Sequence, residues 1–122
     1  EDIKNIAKFL PPNGRLILAF IDNKPCGIGC LKSINDEIGE IKRMYVDPSF
    51  RKIAAGRAIL QSLLNAAKES GYKKVRLDSP KFMEAAHSLY RSFGFTEIPV
   101  YDEVEIPEAF RQYLIFMEID LL

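Results

Sequence analysis

Glu40-Ile41-Lys42-Arg43-Met44-Tyr45-Val46-Asp47-Pro48-Ser49-Phe50-Arg51-Lys52-Ile53-Ala54-Ala55-Gly56-Arg57-Ala58-Ile59-Leu60 joins an extended run to a helical one through a stretch of cations and small residues. Ile41 to Val46 is β-prone, and Asp47-Pro48 stops it, because proline has no ladder donor and an aspartate side chain favours a turn. Arg51 and Lys52 follow, then Ala54, Ala55 and Gly56, and then a helical pattern opened by Arg57. Small residues leave backbone N–H groups accessible. The first N–H groups of a helix lack internal partners and lie at the positive end of its dipole, so a phosphate is the natural ligand of such a start.

Outward from this stretch, the N-terminal side reads as a short helix, Ile3 to Leu10, ended by Pro11-Pro12, and then a meander. Its strands are Arg15 to Ile21, Cys26 to Lys32 and Glu37 to Val46, with Asp22-Asn23-Lys24 as a tight hairpin. Gly27 and Gly29 are expected to allow a bulge. On the C-terminal side, the helix after Gly56 buries Ile59, Leu63 and Ala66 or Ala67, and Gly71 caps it. Lys73 to Leu77 follows as a strand parallel to Glu40–Val46, reached by a right-handed crossover. A second helix spans Lys81 to Phe93 and closes at Gly94. Phe95 to Val100 starts the next strand, Pro99 and Pro107 bracket the acidic loop Asp102-Glu103-Val104-Glu105, and Gln112 to Asp120 is the last strand.

Two segments carry a family resemblance. Arg51-Lys52-Ile53-Ala54-Ala55-Gly56 resembles the pyrophosphate loop Arg/Gln-x-x-Gly-x-Gly/Ala of the GNAT superfamily of N-acetyltransferases, and Ala86-His87-Ser88-Leu89-Tyr90-Arg91-Ser92-Phe93-Gly94-Phe95 resembles its Ala-x-x-Leu-Tyr-x-x-x-Gly-Phe run. Their order, with a helix and a strand between, is the family's own. The resemblance covers the chain from about Arg15 onward. It implies a mixed α/β fold: a central, mostly antiparallel sheet with one parallel splayed strand pair, flanked by helices. The chain is expected to be a single domain over residues 1–122, without the family's N-terminal strand and first helix.

The resemblance also implies a reaction, acetyl transfer from acetyl-CoA to an amine. Met44, Tyr45 and Val46 would line the acyl end of the cofactor, with a backbone N–H near Met44 or Tyr45 polarising the thioester carbonyl. Arg51, Lys52, Ile53, Ala54, Ala55, Gly56 and Arg57 would hold the pyrophosphate. The attacking amine must be neutral, whereas a lysine-like amine has a pKa of about 10.4 in water. Glu40, placed on the same strand face as Met44 by period-two alternation, is the candidate base. The departing thiolate needs a proton, and Tyr90 is the candidate acid. Ala54, Lys52 and Met83 stand where the family pattern carries glycine, glycine and asparagine. On them rests the alternative, an acyl-CoA-binding sensor or interaction module without turnover.

Composition bounds what else the chain can be. Its 122 residues suit one core, and 17 basic and 17 acidic residues cancel, which argues against a nucleic-acid surface built on clustered positive charge. No apolar run approaches the roughly 20 residues of a membrane helix. Cys26 and Cys30 fall on one face of one strand, too far apart to bond, which suits a reducing cytoplasmic setting. With His87, expected on the polar helix face between Glu84 and Arg91, they are too few to hold zinc, and no metal is expected. The chain lacks a starting methionine and reads as a trimmed piece. The acceptor stays open between a small molecule and a protein amine, and so does the oligomeric state, a homodimer included. The acidic loop is expected to line the acceptor entrance and favour cationic amines.

Overall fold

The computed structural model describes residues 14–50 and 55–121. The helix expected over Ile3 to Leu10 and the loop residues Arg51, Lys52, Ile53 and Ala54 lie outside the described residues. Six strands form one sheet: β1 (Arg15–Ile21), β2 (Lys24–Ser33), β3 (Ile38–Val46), β4 (Lys74–Pro80), β5 (Thr96–Ile98) and β6 (Leu114–Asp120), in the order β1-β2-β3-β4-β6-β5. Helix α1 (Ala55–Glu69) crosses from β3 to β4, and α2 (Glu84–Phe93) follows β4. Among the described strands only the β3–β4 pair is parallel, as a strand–helix–strand crossover requires. No helix among the described residues is long and apolar enough to cross a membrane.

Local chemistry sets the turns. Asp22 and Asn23 both take positive φ (50° and 66°), the backbone of a two-residue hairpin turn whose twist matches the flanking strands. Asn35 accepts the backbone N–H groups of Glu37 and Ile38 at 2.8 and 2.9 Å and so closes the β2–β3 turn. At the end of α1 the Gly71 and Tyr72 N–H groups bond Lys68 and Ala67 carbonyls, and at the end of α2 those of Gly94 and Phe95 bond Arg91 and Tyr90 carbonyls. Both are Schellman caps, and both glycines take the left-handed φ the motif needs, 87° and 109°.

The main core lies between the sheet and the two helices, where Ile59, Leu60 and Leu63 of α1 meet Leu31, Ile41, Val75, Leu77 and Met117. Gly27 and Gly29 also serve the packing of α1. A Cβ on Gly27 would stand 2.7 Å from the Ile59 Cδ1 and one on Gly29 2.7 Å from the Ile59 Cγ2, so bare backbone lets α1 lie down on β2. The expected bulge is there too: beside Gly27, β2 advances two residues, Gly27 to Pro25, while β1 advances one, Ala19 to Phe20. A second bulge lies on β3. Between the pairs Cys30↔Lys42 and Ile28↔Tyr45, β3 advances three residues while β2 advances two, and Arg43 within that step has φ 57°. A smaller core of Tyr101, Val104 and Phe116 covers the opposite sheet face.

Element limits shift where tertiary pairing extends or shortens a pattern. β4 runs on to Pro80 because Asp78, Ser79 and Pro80 pair with Phe116, Ile115 and Leu114 of β6. The α2 helix therefore starts at Glu84, three residues after the expected Lys81. β5 keeps Thr96–Ile98 and ends before Pro99, and β6 begins at Leu114 because Glu108–Tyr113 winds as a 3-10 helix.

Candidate active site

The β3–β4 ladder stops at the pair Ile41↔Leu77 although both strands continue, to Val46 and Pro80. Past that pair the strands part. On the helix side a cleft of about 460 Å³ opens between the end of β3, the start of α1 and α2, lined by Met44, Tyr45, Val46, Gly56, Met83, Ala86, Leu89 and Tyr90 with Phe82 and Ala85. The structure thus brings together Met44, Tyr45, Val46, Gly56 and Tyr90 of the residues expected from the sequence. Phe82 and Ala85 join them, Phe82 standing just before α2 and 82% exposed. Among the described residues no charged side chain lines the cleft, which suits an uncharged acyl chain.

Tyr90 is buried, and its hydroxyl points at the Met44 sulfur, 4.0 Å away. Burial first, and the Asp78 carboxylate second, hold its phenol above the ordinary tyrosine value, so it keeps its proton at neutral pH. A Cβ on Gly56 would meet Leu89 Cδ2 at 3.5 Å and Val46 Cγ2 at 3.7 Å, which marks this glycine as the narrow point between α1, β3 and α2. Ala55 is buried at the first position of α1. Arg57 leans on α2: its guanidinium lies 5.1 Å from the Phe93 ring centre and donates to the Ser92 Oγ at 3.4 Å.

Glu40 is elsewhere. The extra residue at Arg43 breaks the alternation that put Glu40 and Met44 on one face, so Met44 and Val46 pack with Ile41 on the helix side while Glu40 faces the other way. There it is fully buried. Its Oε2 accepts the Tyr101 hydroxyl at 2.5 Å, and Lys32 and Lys42 lie 3.3 and 3.7 Å from its two oxygens. Oε1 has the Lys32 charge beside it but no aligned donor. Enclosed in this way, Glu40 has no open path to an amine, and its observed work is to neutralise the lysines and receive Tyr101.

The same face holds residues that sequence reasoning passed over. Lys42 donates to Asp78 at 2.8 Å, Arg76 pairs with Glu118 at 2.8 Å and lies over the Tyr101 ring, and Lys32 pairs with Glu105 at 2.6 Å. Burial lowers the Lys32 pKa, but Glu105 and Glu40 together outweigh it and the net shift is upward. Charges at alternate positions inside apolar strands were the available signal. In the acidic loop Glu105 pairs with Lys32 and Glu103 lies 3.8 Å from Arg76. His87 corrects another expectation: it is buried and its Nε2 lies 3.0 Å from the Ser79 Oγ, because the longer β4 brings Ser79 under α2. Cys26 and Cys30 are buried and are not joined in a disulfide.

Comparison with known proteins gives this geometry a family. The model of the acetyltransferase (GNAT) family matches residues 1–95. An uncharacterized N-acetyltransferase of Schizosaccharomyces pombe is 29% identical over 106 residues, covering 84% of this chain and 64% of its own. The chain spans less than two thirds of the length of the curated relatives it matches first. Among solved structures, a GNAT-family acetyltransferase from Staphylococcus aureus Mu50 superposes with a TM-score of 0.86 at 21% identity, covering 99% of this chain and 77% of that one. A GNAT-family acetyltransferase from Elizabethkingia anophelis with acetyl-CoA bound does so at 0.76 and 21%, covering 96% and 82%. At these identities the structures speak for the fold, the sequence match speaks for descent, and together they place the chain in the acetyltransferase (GNAT) family.

Proposed function

We propose that the chain transfers an acetyl group from acetyl-CoA to a primary amine by direct attack. The observation that carries this reading is the cleft at the end of the parallel ladder, lined among the described residues by apolar side chains, with the protonated Tyr90 hydroxyl set over Met44. The Elizabethkingia structure carries acetyl-CoA, and the same fold here supports the same donor. Phe82, Met83, Ala86 and Leu89 offer the apolar wall for the pantetheine arm. Ala55, Gly56 and Arg57, with Arg51, Lys52, Ile53 and Ala54 before them, would meet the pyrophosphate at the start of α1, where helix N–H groups and dipole favour an anion.

In the reaction the amine nitrogen attacks the thioester carbonyl carbon, whose oxygen a backbone N–H of β3 near Met44 or Tyr45 would polarise. The N–C bond forms, the C–S bond breaks, and sulfur leaves with the electron pair, taking the Tyr90 proton. The acceptor ammonium gives up two protons in all. One restores Tyr90 and the other goes to solvent, so the products are amide, CoA thiol and one proton.

The test is an acceptor screen read by thiol release, beside calorimetry of acetyl-CoA binding. Steady thiol release with at least one amine is the expected result. Binding of acetyl-CoA with no release for any amine would instead favour the sensor or interaction module that Lys52, Ala54 and Met83 suggest. No binding at all would remove both.

A further inference from the structure

Lys42 and Asp78 are the residues immediately after the last parallel pair, Ile41↔Leu77, one on each strand. Their side chains leave the sheet on the face opposite the helices and meet across the parting strands, Lys42 Nζ to Asp78 Oδ2 at 2.8 Å. Their ion pair therefore stands just past the point where the ladder ends and the strands part. The Asp78 charge acts on both Tyr90, on the helix side, and Tyr101, on the other. An amine approaching a thioester held in the cleft from the opposite face would pass this carboxylate.

We propose that Asp78 seats the ammonium of the acceptor, with Lys42, itself a primary ammonium, as its counter-ion in this structure. The inference rests on amine acetylation as the reaction. Three observations support it beyond position. Asp78 keeps 14% of its side chain exposed whereas Glu40 keeps none, so of the two carboxylates next to Lys42 only Asp78 is reachable. Lys42 has Glu40 as a second carboxylate at 3.7 Å, so an incoming ammonium can take Asp78 without stranding the lysine in a buried place. And the ligand Asp78 already holds has the chemistry assigned to the acceptor: a primary alkylammonium donating a charge-assisted hydrogen bond. The substrate class that follows is an unhindered primary amine, protonated on arrival.

The experiment compares Asp78→Asn, Asp78→Glu and Lys42→Gln in the full chain, with propylamine, spermidine and a lysine-containing peptide as acceptors and acetyl-CoA affinity measured alongside. Seating on Asp78 predicts opposite signs. Asp78→Asn raises acceptor KM by about tenfold or more, the loss of one charge-assisted hydrogen bond; Asp78→Glu recovers most of it; Lys42→Gln, which frees the carboxylate, lowers KM. A purely structural ion pair predicts that both neutral variants lower the melting temperature and shift KM in the same direction or leave it alone, and either result overturns the inference. If the neutral variants do not fold, Lys42→Arg carries the test: a guanidinium gripping Asp78 should raise acceptor KM, and an unchanged KM overturns the proposal. A wild-type chain that releases no thiol with any amine removes the transfer reading and this inference together; wild-type turnover with unmoved KM in the variants removes the inference alone.

Discussion

The Tyr90 hydroxyl of α2 faces the Met44 sulfur of β3 at 4.0 Å across the cleft that opens where the parallel strands part. A thioether is a weak acceptor, so this contact aims the phenol without holding its proton. Tyr90→Phe keeps the ring and its packing on Phe95. The expected outcome is a single-turnover rate lower by about 10² to 10⁴, the usual cost of losing a general acid, with acetyl-CoA affinity and melting temperature little changed. A normal single-turnover rate would leave water as the donor.

Gly56 sits at the narrow point of the cleft. A methyl there meets Leu89 and Val46 at ordinary contact distance, so Gly56→Ala should bind acetyl-CoA nearly as the wild type does. Gly56→Leu fills the space between α1 and α2 and is expected to weaken binding by about tenfold or more, about 1.4 kcal/mol, by calorimetry. Equal affinities in the two variants would move the cofactor out of this cleft.

Gly29 is where α1 rests on β2. Gly29→Ala puts a carbon 2.7 and 2.8 Å from Ile59 and Leu63, both in the packed core. Denaturant unfolding should show a loss of about 1–3 kcal/mol, the usual cost of overpacking. An unchanged midpoint would mean that α1 lifts from the sheet at no cost.

Tyr101 gives the fold a pH signature. Burial, and then its hydrogen bond to Glu40, push its phenol well above the ordinary value of 10.0. A group whose folded pKa is raised contributes stability that is fully present below its unfolded pKa and is lost as pH rises above it. Lys32, also shifted upward from 10.5, acts in the same sense. Stability should therefore fall as pH passes about 10, and Tyr101→Phe should flatten that fall while costing stability at pH 7, since Glu40 loses a buried donor. Parallel pH profiles for the two proteins would show that Tyr101 does not titrate with unfolding.

Local chemistry alone determined much of this protein. The hairpin at Asp22-Asn23, the caps at Gly71 and Gly94, the stop at Asp47-Pro48 and the apolar stripe of α1 each follow from the conformations that neighbouring residues permit, so they were legible in order along the chain. The small residues after Arg51 and the Leu89-Tyr90 run carried the family in the same way, and with it the cleft. What the chain could not show is anything that depends on counting residues across strands. One bulge residue, Arg43, turned Glu40 away from Met44, because a pleated strand changes face at every step and an inserted residue reverses every later one. Likewise the pairing of β4 with β6 carried Ser79 under His87 and set Asp78 against Lys42, contacts between residues 8 and 36 positions apart. Such partners are chosen by sheet register and by where the ladder ends, and both are properties of the assembled sheet.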